Sequence, residues 1–387
     1  MTIDRRLFLT VPALGVVACA PIDGPADGPA TPASKQPSSA PADPTPSASA
    51  SPGELASPDP DILFPAASGL VVAETGIVAP SLTHLVSWGR DGTIASTRSF
   101  AEAGLDDMPG SGVPAWDLRN GTFVVAGGKN YSWAAADVQA WTLSGSAVVE
   151  HAGSPPAGST APRANHMRPF GVATDGKHVA ATFGDGSVKV FELAGTLLHQ
   201  LTPEGLAPSG DTTKIGVRYL AGDVLLVWGR DARCPVQLWK ADGSASLRVW
   251  QDGPARPAHV AVSPSEQHLL VTAYDREASR MPYWIVGSED LAPQAQGVLP
   301  APATAVALGP DGRTVASAGS VGDGDPIPIH LTHAGSGKTR NVRREGYVAR
   351  SIAFSLDGAR LYTHNSKVGV VEWNVAAGTE TRQFDLP

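Results

Sequence analysis

The chain has 387 residues, of which 17 % are charged, and a formal net charge of −8 at pH 7. An acidic protein with no basic run longer than two residues lacks the positive surface that nucleic acids require, so we exclude nucleic acid as a partner. Glycine (42) and proline (34) are abundant, which favours a fold of short strands and turns. No apolar run reaches the length of about 18 residues that predicts a membrane-spanning helix.

Residues 1–18 have the pattern of an export signal. Arg5 and Arg6 precede an apolar run, Leu7–Ala18, whose length of about twelve residues suits a signal peptide and is too short to span a bilayer. The arginine pair resembles the twin-arginine export motif, although such pairs also occur in general signals. The small residues before Cys19 resemble a bacterial lipobox, and the alternative is an ordinary signal with an incidental cysteine. The resemblance implies cleavage before Cys19, which would then carry the lipid.

The predicted lipid at Cys19 implies an extracytoplasmic protein that is anchored to the cell membrane, or to the outer membrane of a two-membrane cell. Residues 19–60 follow as a linker, with eleven prolines between residues 20 and 60 and no aromatic residue. Such a segment buries too little apolar surface to offset the entropy of ordering. We therefore expect a disordered, semi-extended Pro/Ala/Ser-rich tether between the lipid and a folded domain.

One strand pattern recurs seven times after the tether. Its members each place one ring-bearing side chain in the same slot, at intervals of 43 to 53 residues: Trp88, Trp141, Phe191, Trp239, Trp284, His330 and Trp373. Each slot is predicted to lie in the third of four short strands, and four strands at this period are typical of a β-propeller. The sequence therefore predicts an all-β, seven-bladed propeller with four-stranded antiparallel blades over residues 61–387.

The individual strands of several repeats can be assigned from apolar runs and turns. In the sixth and seventh repeats, Asp311-Gly312 and Asp357-Gly358 stand between the first and second strands, where glycine supplies the positive φ of a hairpin turn. In the first repeat, Asp61–Pro65 matches a first strand and Leu70–Ala73 a second strand. We expect the slot aromatics to be structural residues that pack between blades, and His330 to be a hydrogen-bonded core histidine.

The seven repeats resemble the WD-repeat superfamily in architecture over residues 61–387. The Gly-His pair before the first strand is absent, and no Trp-Asp occurs, since Asn374 follows Trp373 and Lys240 follows Trp239. The pattern is similar to that of divergent bacterial propellers. Six blades with one aberrant repeat is the alternative count.

Candidate binding residues lie in the long connections between second and third strands, which share one face of a propeller. Tyrosine, tryptophan and arginine are enriched in interface hot spots, and the Asp323-Gly324-Asp325 stretch offers two carboxylates. The predicted binding residues are Tyr131, Trp133, Tyr274, Arg276, Arg280, Asp323 and Asp325.

The sequence contains no local catalytic motif and no metal-ligand spacing. The stretch from Ala334 to Thr339 looks like a phosphate loop but lacks its first glycine and its helix, so we interpret it as a turn. Cys234 is expected to be a buried, inert thiol. We predict no catalytic residue, no metal site and no cofactor.

These features favour a monomeric, membrane-anchored scaffold that binds a protein or an envelope polymer without catalysis. Two alternatives stay open because propeller sites draw on several blades and leave no local motif. One is a propeller enzyme of the lactonase or quinone-dependent dehydrogenase kind. The other is a propeller that binds a small ligand or a sugar in its channel.

Overall fold

A computed structural model describes residues 69–74, 76–81, 83–99, 115–119, 122–128, 136–142, 149–152, 169–183, 186–205, 215–229, 233–254, 256–275, 277–321, 325–365 and 367–387. All of them belong to one compact unit, Gly53–Pro387. The predicted signal, Cys19 and the tether lie outside the described residues.

The described strands pair into seven four-stranded antiparallel sheets, each built from four strands consecutive in sequence. The first sheet contains β1 (Val71–Val72), β2 (Gly76–Pro80), β3 (His84–Gly89) and β4 (Ile94–Ser99). The second contains β5 (Ala115–Arg119), β6 (Thr122–Gly128), β7 (Ala136–Thr142) and β8 (Val149–Ala152). The third contains β9 (Pro169–Thr174), β10 (His178–Phe183), β11 (Val188–Glu192) and β12 (Leu197–Leu201).

The remaining sheets repeat this plan. The fourth contains β13 (Ile215–Leu220), β14 (Val224–Gly229), β15 (Gln237–Lys240) and β16 (Ser246–Val249). The fifth contains β17 (Pro257–Val262), β18 (His268–Ala273), β19 (Pro282–Gly287) and β20 (Pro293–Val298). The sixth contains β21 (Ala305–Leu308), β22 (Thr314–Val321), β23 (Asp325–His333) and β24 (Thr339–Val342). The seventh contains β25 (Ser351–Phe354), β26 (Arg360–Asn365), β27 (Gly369–Asn374) and β28 (Thr379–Phe384).

The sheets are arranged as the blades of a β-propeller. The first strands of neighbouring sheets contact one another. The contacting pairs are β5–β9, β9–β13, β17–β21, β21–β25 and β25–β1. These strands are therefore innermost, whereas β20 and β28 on the outside are largely exposed. The predicted all-β propeller with four-stranded antiparallel blades is confirmed.

The hydrophobic core lies between the blades rather than in one central cluster. The seventh and first sheets share a cluster that includes Ile77, Trp88, Tyr362 and Phe384, with the rings of Trp88 and Phe384 edge-on at 6.4 Å between centroids. Comparable clusters join the second to the third sheet and each later sheet to the next. Burial of each blade against its neighbours is what stabilises a repeat architecture of this kind.

Turn chemistry follows the sequence prediction in the later repeats. Gly312 and Gly358 adopt φ of 63° and 71° in the turns between first and second strands. Asp311 Oδ1 accepts hydrogen bonds from two backbone N–H groups after it, those of Arg313 at 2.9 Å and Thr314 at 3.1 Å.

The prediction for the first sheet was wrong. Val71–Val72 is its first strand rather than its second, and Gly76–Pro80 is the second, because β3, the strand that contains Trp88, pairs with Gly76–Pro80.

Candidate ligand site in the central channel

The seven slot residues all lie in third strands, namely β3, β7, β11, β15, β19, β23 and β27. Trp88, Phe191 and Trp373 are buried in clusters between blades, whereas Trp239 and Trp284 are only half-buried at the edges of such clusters. The side chain of Trp141 is outside the described set. His330 is buried, and its Nδ1 lies 2.7 Å from Asn341 Oδ1, so the expected hydrogen-bonded core histidine is confirmed.

The predicted binding residues are only partly described. Tyr131, Trp133, Arg276 and Asp323 lie outside the described residues, and Asp325 begins β23 with its side chain undescribed. Tyr274 is half-buried against the core cluster between the fifth and sixth sheets. Arg280 is exposed and forms a backbone bridge with Asp275 that extends the β18–β19 hairpin.

Cys234 is buried and belongs to no disulfide. Its burial raises the pKa of the thiol to about 12, because the thiolate would lose its hydration there. The expected burial of this thiol is confirmed, and its low reactivity stays a prediction. The stretch from Ala334 to Thr339 is the turn between β23 and β24, with Gly337 at φ 65°, and the prediction of a turn there is also confirmed.

A cavity of about 120 Å³ lies between the innermost strands, at the centre of the fourth to seventh sheets. Its wall is built mainly from β17, β21 and β25. The polar groups of this wall come from five separate places in the chain: Arg218 on β13, Trp228 on β14, His259 on β17, Thr304 just before β21, and Arg350 and Ser351 at the start of β25. No carboxylate and no thiol is among the described residues that line it.

Trp228 reaches the channel because a glycine faces it. Gly216 and Trp228 are direct cross-strand partners, and a Cβ on residue 216 would sit 2.1 Å from Cε2 of the indole. Only glycine leaves room for the ring to lie flat across β13. Since side chains alternate along a strand, Arg218 stands on the same face as Gly216 and therefore beside the indole.

Two polar atoms of the cavity wall are buried without a partner. Trp228 is 4 % exposed and Thr304 5 % exposed. Within the described part of the chain, Trp228 Nε1 and Thr304 Oγ1 make no hydrogen bond. His259 differs, since its Nε2 lies 3.1 Å from the carbonyl oxygen of Ala303 and must carry the proton to donate there.

Asp117, on the inner strand β5, interacts electrostatically with Arg218. It is buried, and Oδ2 accepts a hydrogen bond of 3.0 Å from the N–H of Thr174. Burial raises the pKa of Asp117, and the positive charge of Arg218 opposes that rise. The charge of Arg218 is therefore partly matched inside the protein, whereas no described carboxylate forms an ion pair with Arg350.

A second cleft, of about 450 Å³, lies between the seventh and first sheets, and the polar side chains that line it bind one another. Arg90 Nη1 donates to Tyr362 Oη at 3.0 Å, and Tyr362 in turn donates to Glu372 Oε2 at 2.9 Å. Burial and the adjacent Glu372 carboxylate raise the pKa of Tyr362 to about 12. Arg360 lies 3.8 Å from Glu372 as well. These groups satisfy one another's hydrogen-bonding capacity and charge, and they link the seventh sheet to the first.

Sequence reasoning did not single out Arg218, Trp228, Thr304, His259 or Arg350 as a set, because no local spacing relates them. The usable signal was the Gly216–Trp228 pair, which shares a hairpin with Arg218. Among the described residues, no group of three or more His, Cys, Asp or Glu could hold a metal ion. The described residues also contain no helix long and apolar enough to cross a membrane. Comparison of the chain with protein-family models and with curated proteins finds no match.

Proposed function

We propose that this protein is an extracytoplasmic, membrane-anchored scaffold whose propeller binds a protein or an envelope polymer and catalyses no reaction. The observation that carries the proposal is a set of hairpin extensions on one face of the ring. Pairing between β22 and β23 continues to Val321 and Asp325, and β18–β19 adds the Asp275–Arg280 bridge. Pairing between β6 and β7 continues to Gly128 and Ala136.

All three extensions join a second strand to a third strand, so they leave the ring on the same side. A raised rim of paired backbone offers a large partner several attachment points on a rigid support. Arg280, exposed on this rim, is of a residue type that interface hot spots favour. The first-to-second turns, such as the one that carries Arg313, are on the opposite face and offer a matched control.

The anchor belongs to the same proposal. We infer that the protein is a bacterial WD-repeat-like lipoprotein, exported with the signal of residues 1–18 and lipidated at Cys19. Two or three acyl chains hold a protein stably on a membrane, since each buried CH₂ contributes about 0.8 kcal/mol. The proline-rich linker of residues 19–60 would then separate the propeller from the lipid surface. A Cys19→Ser variant is expected to leave the membrane fraction, and retention of that variant would refute the lipid anchor.

The number of blades in the closed ring is proposed to be seven. Seven four-stranded sheets support that number, as do the apolar clusters that join the second sheet to the third and the seventh to the first. In a ring of seven, the first and second sheets would also be neighbours. An experimental density map that shows the first and second sheets apart, or fewer than seven blades, would contradict this proposal.

The scaffold proposal is tested by crosslinking the full-length protein in its own cells and purifying what it retains. The test variant is Tyr274→Ala combined with Arg280→Ala, and the control is Arg313→Ala on the opposite face. We expect a stoichiometric partner that is lost from the rim variant and kept by the control. Loss from both variants, or from neither, would remove the rim as the binding face.

A further inference from the structure

We propose that the central channel contains a binding site for a small oxyanion, a carboxylate or phosphate group, held by Arg218 and Arg350 and by donors from Trp228 and Thr304. The site lies on the inner strands and not on the hairpin rim. It therefore stands or falls independently of the scaffold proposal.

The first argument comes from the unpaired donors. Folded proteins give nearly every buried polar atom a hydrogen-bond partner, and an atom without one costs about 1–3 kcal/mol. Trp228 Nε1 and Thr304 Oγ1 are both buried and both unpaired within the described residues, and the two residues that carry them line one cavity. The indole N–H can only donate, and the threonine hydroxyl can donate as well. An acceptor that reaches both atoms from the cavity would satisfy them.

The second argument comes from charge. Arg218 and Arg350 bring two guanidinium groups to the cavity, and its described lining has no carboxylate. Asp117 offsets part of the charge of Arg218, but its own pKa is raised by burial, which weakens that compensation. Arg350 is exposed at the channel mouth and forms no ion pair within the described residues. Guanidinium groups bind carboxylate and phosphate oxygens through two parallel N–H donors, so an oxyanion suits this pair better than a neutral ligand does.

The third argument comes from size. The cavity of about 120 Å³ is well below the roughly 300–1,000 Å³ of pockets that enclose drug-sized ligands. It has room for an anionic head group and not for a whole sugar chain or peptide. The ligand is therefore a small free ion, or the anionic end of a larger molecule that stays outside the channel.

The geometry also explains why the site is pre-formed. Gly216 lets the Trp228 ring lie across β13, and β-sheet hydrogen bonds fix both strands. Thr304 is held by its backbone N–H, which donates to Ala318 at 2.9 Å. A rigid site of this kind loses little conformational entropy when it binds an ion.

The test is calorimetric titration of the full-length protein with inorganic phosphate and with acetate in low-chloride buffer, and with acetamide as the neutral analogue of acetate. We expect one saturable site for phosphate, acetate or both, and no binding of acetamide. Loss of one charge-assisted hydrogen bond weakens binding by about tenfold or more, which we expect for Arg350→Gln and for Trp228→Phe. The exposed control Arg313→Gln, on the opposite face, should bind as the wild type does.

Arg350 is exposed, so the Arg350→Gln variant should fold normally. It keeps the test valid if the Trp228→Phe variant does not fold. Circular dichroism spectra of the variants establish that they are folded. The rim variant Arg280→Ala should retain full anion affinity, which separates failure of this site from failure of the scaffold proposal. Absence of saturable anion binding by the wild type, equal binding of acetamide, or unchanged affinity in Arg350→Gln would overturn the proposal.

Discussion

Acid should destabilise this propeller through one buried histidine at the closure of the ring. His364, on β26, is 2 % exposed, and neither ring nitrogen has a hydrogen-bond partner within the described residues. Desolvation lowers the pKa of His364 from 6.5 to about 4, a change that the nearby carbonyl of Pro80 only partly opposes. One pKa unit corresponds to about 1.4 kcal/mol, so this group links roughly 3 kcal/mol of stability to pH.

The sign follows from which state takes up the proton first. The folded-state pKa is lower than the unfolded value, so the unfolded chain is protonated first as the pH falls. The contribution of His364 is therefore complete above pH 6.5, declines between pH 6.5 and about 4, and is lost below that. A His364→Phe variant removes the titrating group and keeps an apolar ring of similar size in its place.

The measurement is the free energy of unfolding from denaturant titrations at several pH values between about 7 and about 4. We expect the wild type to lose about 3 kcal/mol more than His364→Phe over this range. His199→Phe, at an exposed position on β12, should keep the pH dependence of the wild type. Parallel pH profiles for the wild type and His364→Phe would refute the reasoning.

Three further predictions concern single side chains. Gly216→Ala should destabilise the fold by about 1–3 kcal/mol in denaturant titration, because its Cβ would sit 2.1 Å from the Trp228 ring, and a neutral effect would show that the ring is free to move. The Cys234 thiol, with its pKa raised to about 12, should react with a thiol reagent only after unfolding, and rapid labelling of folded protein would contradict its burial. Glu266 accepts hydrogen bonds from Arg119 at 2.8 Å and from the N–H of residue 221 at 2.6 Å. Glu266→Ala should therefore lower the free energy of unfolding by about 1–2 kcal/mol, and Glu266→Gln by less than about 1 kcal/mol. Equal losses in denaturant titration would mean that the negative charge matters and the hydrogen bond from the N–H of residue 221 does not.

Features that depend on neighbours in sequence were predictable. Asp-Gly turns and apolar runs of four to six residues located most strands of the fifth to seventh sheets, because turn geometry and side-chain alternation are local properties. The recurring ring-bearing residue located the third strand of every sheet. The first sheet was assigned wrongly because two short, mainly apolar runs, Leu70–Ala73 and Gly76–Pro80, follow each other closely, and only pairing with β3 distinguishes them.

The sequence alone determined that the chain folds as a β-propeller with four-stranded antiparallel blades, since the repeat period, the turn residues and the repeated aromatic can each be read from short stretches of sequence. It also identified Cys234 and His330 as core residues from their strand context. Only the tertiary structure decided where polar groups meet in the channel. Arg218 and Trp228 come from the fourth sheet, whereas Thr304 precedes the sixth sheet and Arg350 precedes the seventh. These residues lie up to 132 positions apart in the printed sequence, and no spacing rule connects all of them. Closure of the ring brings the innermost strands together, and a site assembled in this way has no signature in any one repeat.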